Sequence, residues 1–133
     1  MNAVVIDASA GVELAADTER GRELRSLLPQ DPLPWVPDLF FGECGSVLRR
    51  WERRSILTTG RLEEAVDEIA QWQLRVAESK PLFREAWRRR ANLTFADAIY
   101  VALAEHLDAP LLTVDGRLQR APGLQVRFLT LDS

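Results

Sequence analysis

A length of 133 residues suits one domain (1–133), in which roughly two-thirds of the unfolded chain's surface becomes buried. With 47% hydrophobic and 28% charged residues, the composition excludes a disordered or fibrous chain. A formal charge of -3 gives no overall basic footprint of the kind nucleic-acid binders usually carry. The chain opens with Ala3-Val4-Val5-Ile6, a short β-branched run ending at Asp7 that reads as a buried parallel strand. Ser9 offers the N-cap of a helix to about Ala16, and a second helix is expected over 20–28. The proline-rich stretch 29–37 encloses a short strand at Trp35-Val36, and Pro37-Asp38 opens a helix to about Arg54. Leu62, Val66, Ile69 and Ala70 mark another amphipathic helix, followed by a strand near 74–76 and a helix over 81–91. From Thr94 a helix runs through Ala98-Ile99-Tyr100-Val101-Ala102-Leu103-Ala104, apolar nearly all round and therefore central. Leu111-Leu112-Thr113-Val114 reads as a second buried strand ending at Asp115-Gly116, before a short helix at 117–120 and a last strand at 126–129.

Strands alternating with helices imply a three-layer α/β/α sandwich on a mostly parallel sheet with right-handed crossovers. Ligands of such sheets bind beyond the carboxyl ends of the strands, where Asp7 and Asp115 fall. No apolar run approaches the roughly 18 residues of a spanning helix, and the N-terminus lacks a basic n-region, so a cytoplasmic protein without membrane contact is expected. One cysteine, Cys44, and one histidine, His106, make neither a disulfide nor a Cys/His zinc site, which leaves oxygen ligands for any metal.

Four carboxylates stand out. Asp7 caps a helix or serves chemistry; Asp115 belongs to an Asp-Gly turn or a site; Asp97 completes a capping box begun by Thr94, or lines a site. Glu43 is harder to explain structurally. It lies on one helical face with Leu39, Val47 and Trp51, and a carboxylate on an apolar stripe is costly unless paired or bound to metal. Four converging acids repel unless a cation neutralises them, and Mg²⁺ or Mn²⁺ suits such oxygen donors. Ser9 and Thr113 are placed to add hydroxyl contacts there, or simply to pack. Arginines cluster at Arg49, Arg50, Arg53, Arg54 and at Arg84, Arg88, Arg89, Arg90, as phosphate-binding forks or as solvated helix faces. Trp35, Trp51, Trp72 and Trp87 are expected in the core or an interface rather than stacked on bases. Cys44 reads as a small packed residue, and His106 as a surface residue near a helix C-terminus.

In this order, Val5-Ile6-Asp7-Ala8-Ser9, Pro37-Asp38-Leu39 with Glu43 and Val47-Leu48-Arg49-Arg50, Thr94-Phe95-Ala96-Asp97-Ala98-Ile99-Tyr100 and Pro110-Leu111-Leu112-Thr113-Val114-Asp115, the chain resembles the PIN-domain family, in particular the VapC toxins of bacterial toxin–antitoxin pairs. The resemblance spans essentially the whole chain. It implies a Mg²⁺- or Mn²⁺-dependent endoribonuclease in which Asp7, Glu43, Asp97 and Asp115 hold metal and a metal-activated water attacks the RNA phosphate. It also implies a homodimer and a cognate VapB-like antitoxin. Ser46 stands where family members often carry Asn, three residues after the helix glutamate, so the polar support there is altered. Arg49, Arg50, Arg53, Arg88 and Arg89 are the candidates for RNA contact.

Other readings use the same residues differently. A receiver domain wants a lysine on a late strand, but the only lysine is Lys80, and a haloacid-dehalogenase-like phosphatase wants an aspartate where Ser9 stands. Neither a glycine-rich dinucleotide fingerprint nor a phosphate-loop motif is present. The remaining alternative is a catalytically silent PIN-fold module that binds RNA or protein.

Overall fold

The computed structural model describes residues 2–131. Its central strand is β1 (Asn2–Ile6), in which Val4, Val5 and Ile6 are at most 1% exposed. Successive strand residues point to opposite faces, so three buried in a row require cover on both sides of the sheet. β1 pairs in parallel with β2 (Pro32–Pro37) on one edge and with β4 (Leu111–Leu112) on the other. β3 (Arg75–Ala77) lies outside β2 and β5 (Phe128–Leu129) outside β4, giving an all-parallel sheet of order β3-β2-β1-β4-β5. Val5 is in register with both Trp35 and Leu111, which fixes the carboxyl ends of the three inner strands side by side.

The helices supply the cover. α1 (Ala8–Ala16) packs against α2 (Glu19–Arg25), α3 (Phe40–Arg53) and α4 (Thr59–Gln71). α6 (Phe95–Leu107) lies on β1, β2 and β4 and carries α5 (Phe83–Arg88), which is entered through a 3₁₀ turn at Lys80–Leu82. One short helix, α7 (Gly116–Gln119), follows β4. The run Ala98 to Ala104 of α6 is buried without interruption, as an all-round apolar helix must be. Among the described residues no helix is long and apolar enough to cross a membrane.

Several boundaries differ from the sequence reading for identifiable reasons. The buried stripe of α4 is Leu62, Ala65 and Ile69, whereas Val66 is 47% exposed and Ala70 is also outside, so hydropathy alone mis-phased this helix. Pro37 ends β2 rather than opening a helix. Asp38 then ties two strand ends together, donating its N–H to the Ala77 carbonyl at 2.9 Å and accepting from the Ser79 N–H at 3.1 Å. α2 stops at Arg25 and α5 at Arg88, each shorter than its polar-apolar pattern.

The α1–α2 corner sets a steric constraint. A Cβ on Gly21 would stand 2.0 Å from the Glu13 carbonyl oxygen, so only glycine lets the helices approach, and the Thr18 hydroxyl seals the corner by donating to the Glu13 carboxylate at 2.6 Å. Gly21→Ala is therefore expected to destabilise the chain by about 3 kcal/mol. Gly45→Ala, exposed on α3 with open space around it, is expected to stabilise by up to about 1 kcal/mol. Urea midpoints decide both, and a neutral Gly21→Ala would mean that the corner is slack.

Candidate active site

β2 and β4 flank β1 on opposite sides, so the chain order reverses at β1, where parallel sheets open a crevice at their carboxyl edge. Asp7 follows β1 directly, and Thr113 to Asp115 follow β4. Glu43 is on the first turn of α3 and Asp97 on the first turn of α6. The result is a cleft of about 700 Å³ whose lining includes Asp7, Glu43, Asp97 and Asp115, four acids 36 or more residues from one another along the chain apart from the pair 97 and 115. The structure thus brings together all four acids expected from the sequence, and adds Asp38 at the rim.

Asp7 forms the floor, only 7% exposed. It, not Ser9, is the N-cap of α1: its Oδ1 accepts the Ala10 N–H at 2.9 Å. Ser9 lies inside that helix, donating its hydroxyl to the same Oδ1 at 2.6 Å and accepting the Val114 N–H at 3.3 Å. Thr113, fully buried, also hydrogen-bonds Asp7 and accepts the Asp115 N–H at 3.0 Å. Both hydroxyls therefore join the end of β1 to the end of β4. Burial pushes the Asp7 carboxyl up from 3.8 to about 6, aided by the charge of Asp97 and opposed by the bonds from Ser9, Thr113 and Ala10.

Glu43 is half-buried, with its Oε1 accepting the Tyr100 hydroxyl at 2.8 Å. Burial and then the Asp97 charge raise its carboxyl, while the Tyr100 bond lowers it. Tyr100 itself is 2% exposed, and burial followed by the Glu43 charge drives its phenol upward, so it stays a proton donor to Glu43. Asp97 donates its N–H to the capping Thr94 hydroxyl at 3.1 Å; burial raises its carboxyl, Asp115 raises it further, and Thr94 and Arg117 oppose. Asp115 caps α7 through the Arg117 N–H at 3.0 Å and pairs with Arg117 Nε at 3.3 Å.

The donors are all carboxylate and hydroxyl oxygens, and three of the acids are raised partly by one another's charge, the condition a hard divalent cation relieves. As placed, the side chains serve protein partners, and among the described residues no group of three or more His, Cys, Asp or Glu is arranged to hold an ion.

Of the five arginines expected at RNA, Arg50 alone lines the cleft. Arg49 and Arg53 are exposed elsewhere on α3. Arg88 pairs with Glu85, and Arg89 pairs with Glu105 and donates to the Gly123 carbonyl; these two brace α5 instead of facing the site. Ser46 lines the cleft but turns its hydroxyl to the Gly42 carbonyl of its own helix at 3.1 Å. Trp35, Trp51 and Trp72 pack on the core, while Trp87 is 51% exposed with Arg90 stacked on its ring at 4.4 Å. Cys44 is buried and its thiol pushed up to about 12, which makes it inert packing. Sequence reading passed over Tyr100, although its hydroxyl is the one side-chain polar atom in the run 98–104 and lies one turn beyond Asp97. It also passed over Arg117, for which no motif gave a signal.

Comparison with known proteins identifies the family. The model of the PIN domain matches residues 4–124. Ribonuclease VapC1 of Mycobacterium tuberculosis is 39% identical over 126 residues, covering 93% of this chain and 94% of that protein. In fold, the chain is similar to the Sarcin-Ricin loop cleaving toxin VapC20 of the same organism, with a TM-score of 0.65 at 19% identity over 93% of this chain and 98% of that one. It is also similar to VapBC2 of Rickettsia felis, solved on a DNA fragment from its promoter, with a TM-score of 0.63 at 12% identity over 96% and 98%. A five-stranded parallel sheet with four acids at its switch point, matched along nearly its whole length, places the chain in the PIN-domain family among the VapC ribonucleases.

Proposed function

We propose that this chain is a Mg²⁺- or Mn²⁺-dependent endoribonuclease, the toxin of a type II toxin–antitoxin pair, acting in the cytoplasm as one PIN-like domain. The observation that carries this reading is the convergence of Asp7, Glu43, Asp97 and Asp115 in one cleft at the sheet's switch point. The similarity to VapC1 supports RNA as substrate, and the similarity to VapBC2 supports a VapB-like antitoxin as partner. The exposed aromatic patch of Phe83, Trp87 and Phe95, with the two phenylalanine rings 5.0 Å apart, supports self-association into a homodimer.

Asp7, Glu43, Asp97 and Asp115 are the residues that would hold the ion. When bound, it supplies Lewis-acid stabilisation of phosphate charge and makes water more acidic. The protein's own part is placement. Ser9 and Thr113 fix Asp7 at the floor, Tyr100 aims one Glu43 oxygen, and Thr94 anchors the backbone of Asp97. Asp115 shares its oxygen with an exposed arginine, a partner readily given up.

Purified protein freed of any partner is expected to cut total cellular RNA at discrete positions in Mg²⁺ or Mn²⁺. EDTA should abolish cleavage, and Asp97→Asn should lower the rate at least about a hundredfold. Intact RNA in every lane would leave a silent RNA- or protein-binding module as the better reading.

The site also predicts a pH dependence of stability. The folded Asp7 carboxyl titrates near 6 against 3.8 for the free group, so its ionisation burdens the folded state. Its contribution to stability is complete below about pH 4 and is lost as pH rises through about 6, a difference on the order of 3 kcal/mol. In EDTA, Asp7→Asn should therefore melt higher than wild type at pH 7 and flatten the decline between pH 4 and 6. An Asn variant less stable than wild type at pH 7 would contradict the charge burden. For self-association, light scattering at micromolar concentration should give twice the 15.0 kDa chain mass and Trp87→Glu a single chain mass; a monomeric wild type would refute the dimer.

A further inference from the structure

An enzyme for RNA must draw a polyanion to its acids, and the charges here oppose that. The chain is formally -3, and among the described residues its cleft is lined by five carboxylates, Asp7, Asp38, Glu43, Asp97 and Asp115, against one cation, Arg50. Arg88 and Arg89 are occupied on α5. A second cation nonetheless stands at the site. Arg117 pairs with Asp115, and its charge reaches Asp97, yet its side chain is 86% exposed.

The topology sets these two arginines on opposite sides of Asp7. α3, with Arg50, follows β2; α7, with Arg117, follows β4; and β2 and β4 lie on the two sides of β1, at whose end Asp7 sits. Along α3, Glu43, Ser46, Val47 and Arg50 share the cleft-lining face, with Arg50 two turns and about 10 Å from Glu43. Arg49 points about a third of a turn away from that stripe. Asp7 is recessed at the floor, so a phosphate must descend into the cleft to meet it, a path that a bendable single strand follows more readily than a stiff duplex.

Resting on the nuclease reading above, we infer that Arg50 and Arg117 form the two ends of a phosphate track, holding a single-stranded RNA across the cleft from α3 to α7 with the scissile phosphate between them. Arg117 exchanges its exposed pair with Asp115 for a substrate phosphate. An arginine fork suits that exchange, since carboxylate and phosphate present similar paired oxygens.

Salt dependence tests the track separately from catalysis. In an Asp97→Asn background at fixed Mg²⁺, binding of a short mixed-sequence single-stranded RNA is measured over a KCl series. Each phosphate contact removed should lessen the slope of log affinity against log salt by about 0.7. Arg50→Ala and Arg117→Ala are each expected to show that change with binding weakened about tenfold at low salt. Arg117→Lys should restore the slope, because the charge remains even though the fork is lost, and Arg49→Ala should leave it unchanged. In the cleaving protein, Arg50→Ala should raise KM more than it lowers kcat. Unchanged slopes in both alanine variants, with wild-type cleavage intact, overturn the track and leave the nuclease reading standing. A slope changed by Arg117→Ala and not restored by Lys overturns its phosphate role, and a wild-type protein that neither binds nor cuts RNA overturns both readings.

Discussion

Everything at the cleft depends on one carboxylate that the fold buries at the end of its central strand. β1 needs cover on both faces because Val4, Val5 and Ile6 are all inside, and the residue that follows inherits that burial. Asp7 is charged where water is scarce, and three hydrogen bonds offset part of the cost. Those bonds come from Ser9, Ala10 and Thr113, so the group that carries the site's chemistry also caps α1 and links the ends of β1 and β4. The desolvation cost of a functional carboxylate is thereby borne by the surrounding fold.

Much of the fold was legible in the sequence because its signals were redundant. The buried strand at 3–6 is a continuous β-branched run, and α6 is apolar all round; no other element fits either pattern. Glu43 was legible because a carboxylate on an apolar stripe has few structural explanations. The partition of caps was not legible: Asp7 and Ser9 are both good N-caps two residues apart, and only the β4 loop, distant in sequence, decides that Ser9 turns back to Asp7 and Val114. The arginines were less legible still. Arg50, Arg88 and Arg89 are alike in composition, but Glu85 and Glu105 take two of them and leave the third to the cleft. Val66 misled because the buried face of α4 is set by the small Ala65, where close packing outweighs hydropathy.

The four acids are best understood as two braced pairs. Thr113 joins the first, hydrogen-bonding Asp7 and accepting from the backbone of Asp115, so both move with the ends of β1 and β4. α6 organises the second: it carries Asp97 on its first turn and, one turn later, the Tyr100 hydroxyl that holds Glu43 of α3. Tyr100 is buried and its phenol resists ionisation, so Glu43 has a constant donor over the pH range in which the acids titrate. A helix packed on β1, β2 and β4 thus sets the reach of two acids that come from different elements.

The pairs meet at Asp97. Its charge raises both Asp7 and Glu43, and Asp115 in turn raises Asp97, so it is the neighbour that every other acid shares. Helix N-termini favour negative charge, and both Glu43 and Asp97 lie on first turns, but that effect is modest and acts along the axis of each helix. It does not cancel repulsion between carboxylates of different elements across the cleft. Neutralising Asp97 removes the shared repulsion from both pairs at once while its backbone still bonds Thr94, so the helix start survives the loss of the side-chain charge. An amide at position 97 therefore separates the chemistry of the site from the stability of the fold more cleanly than one at position 7, where the same oxygen serves both.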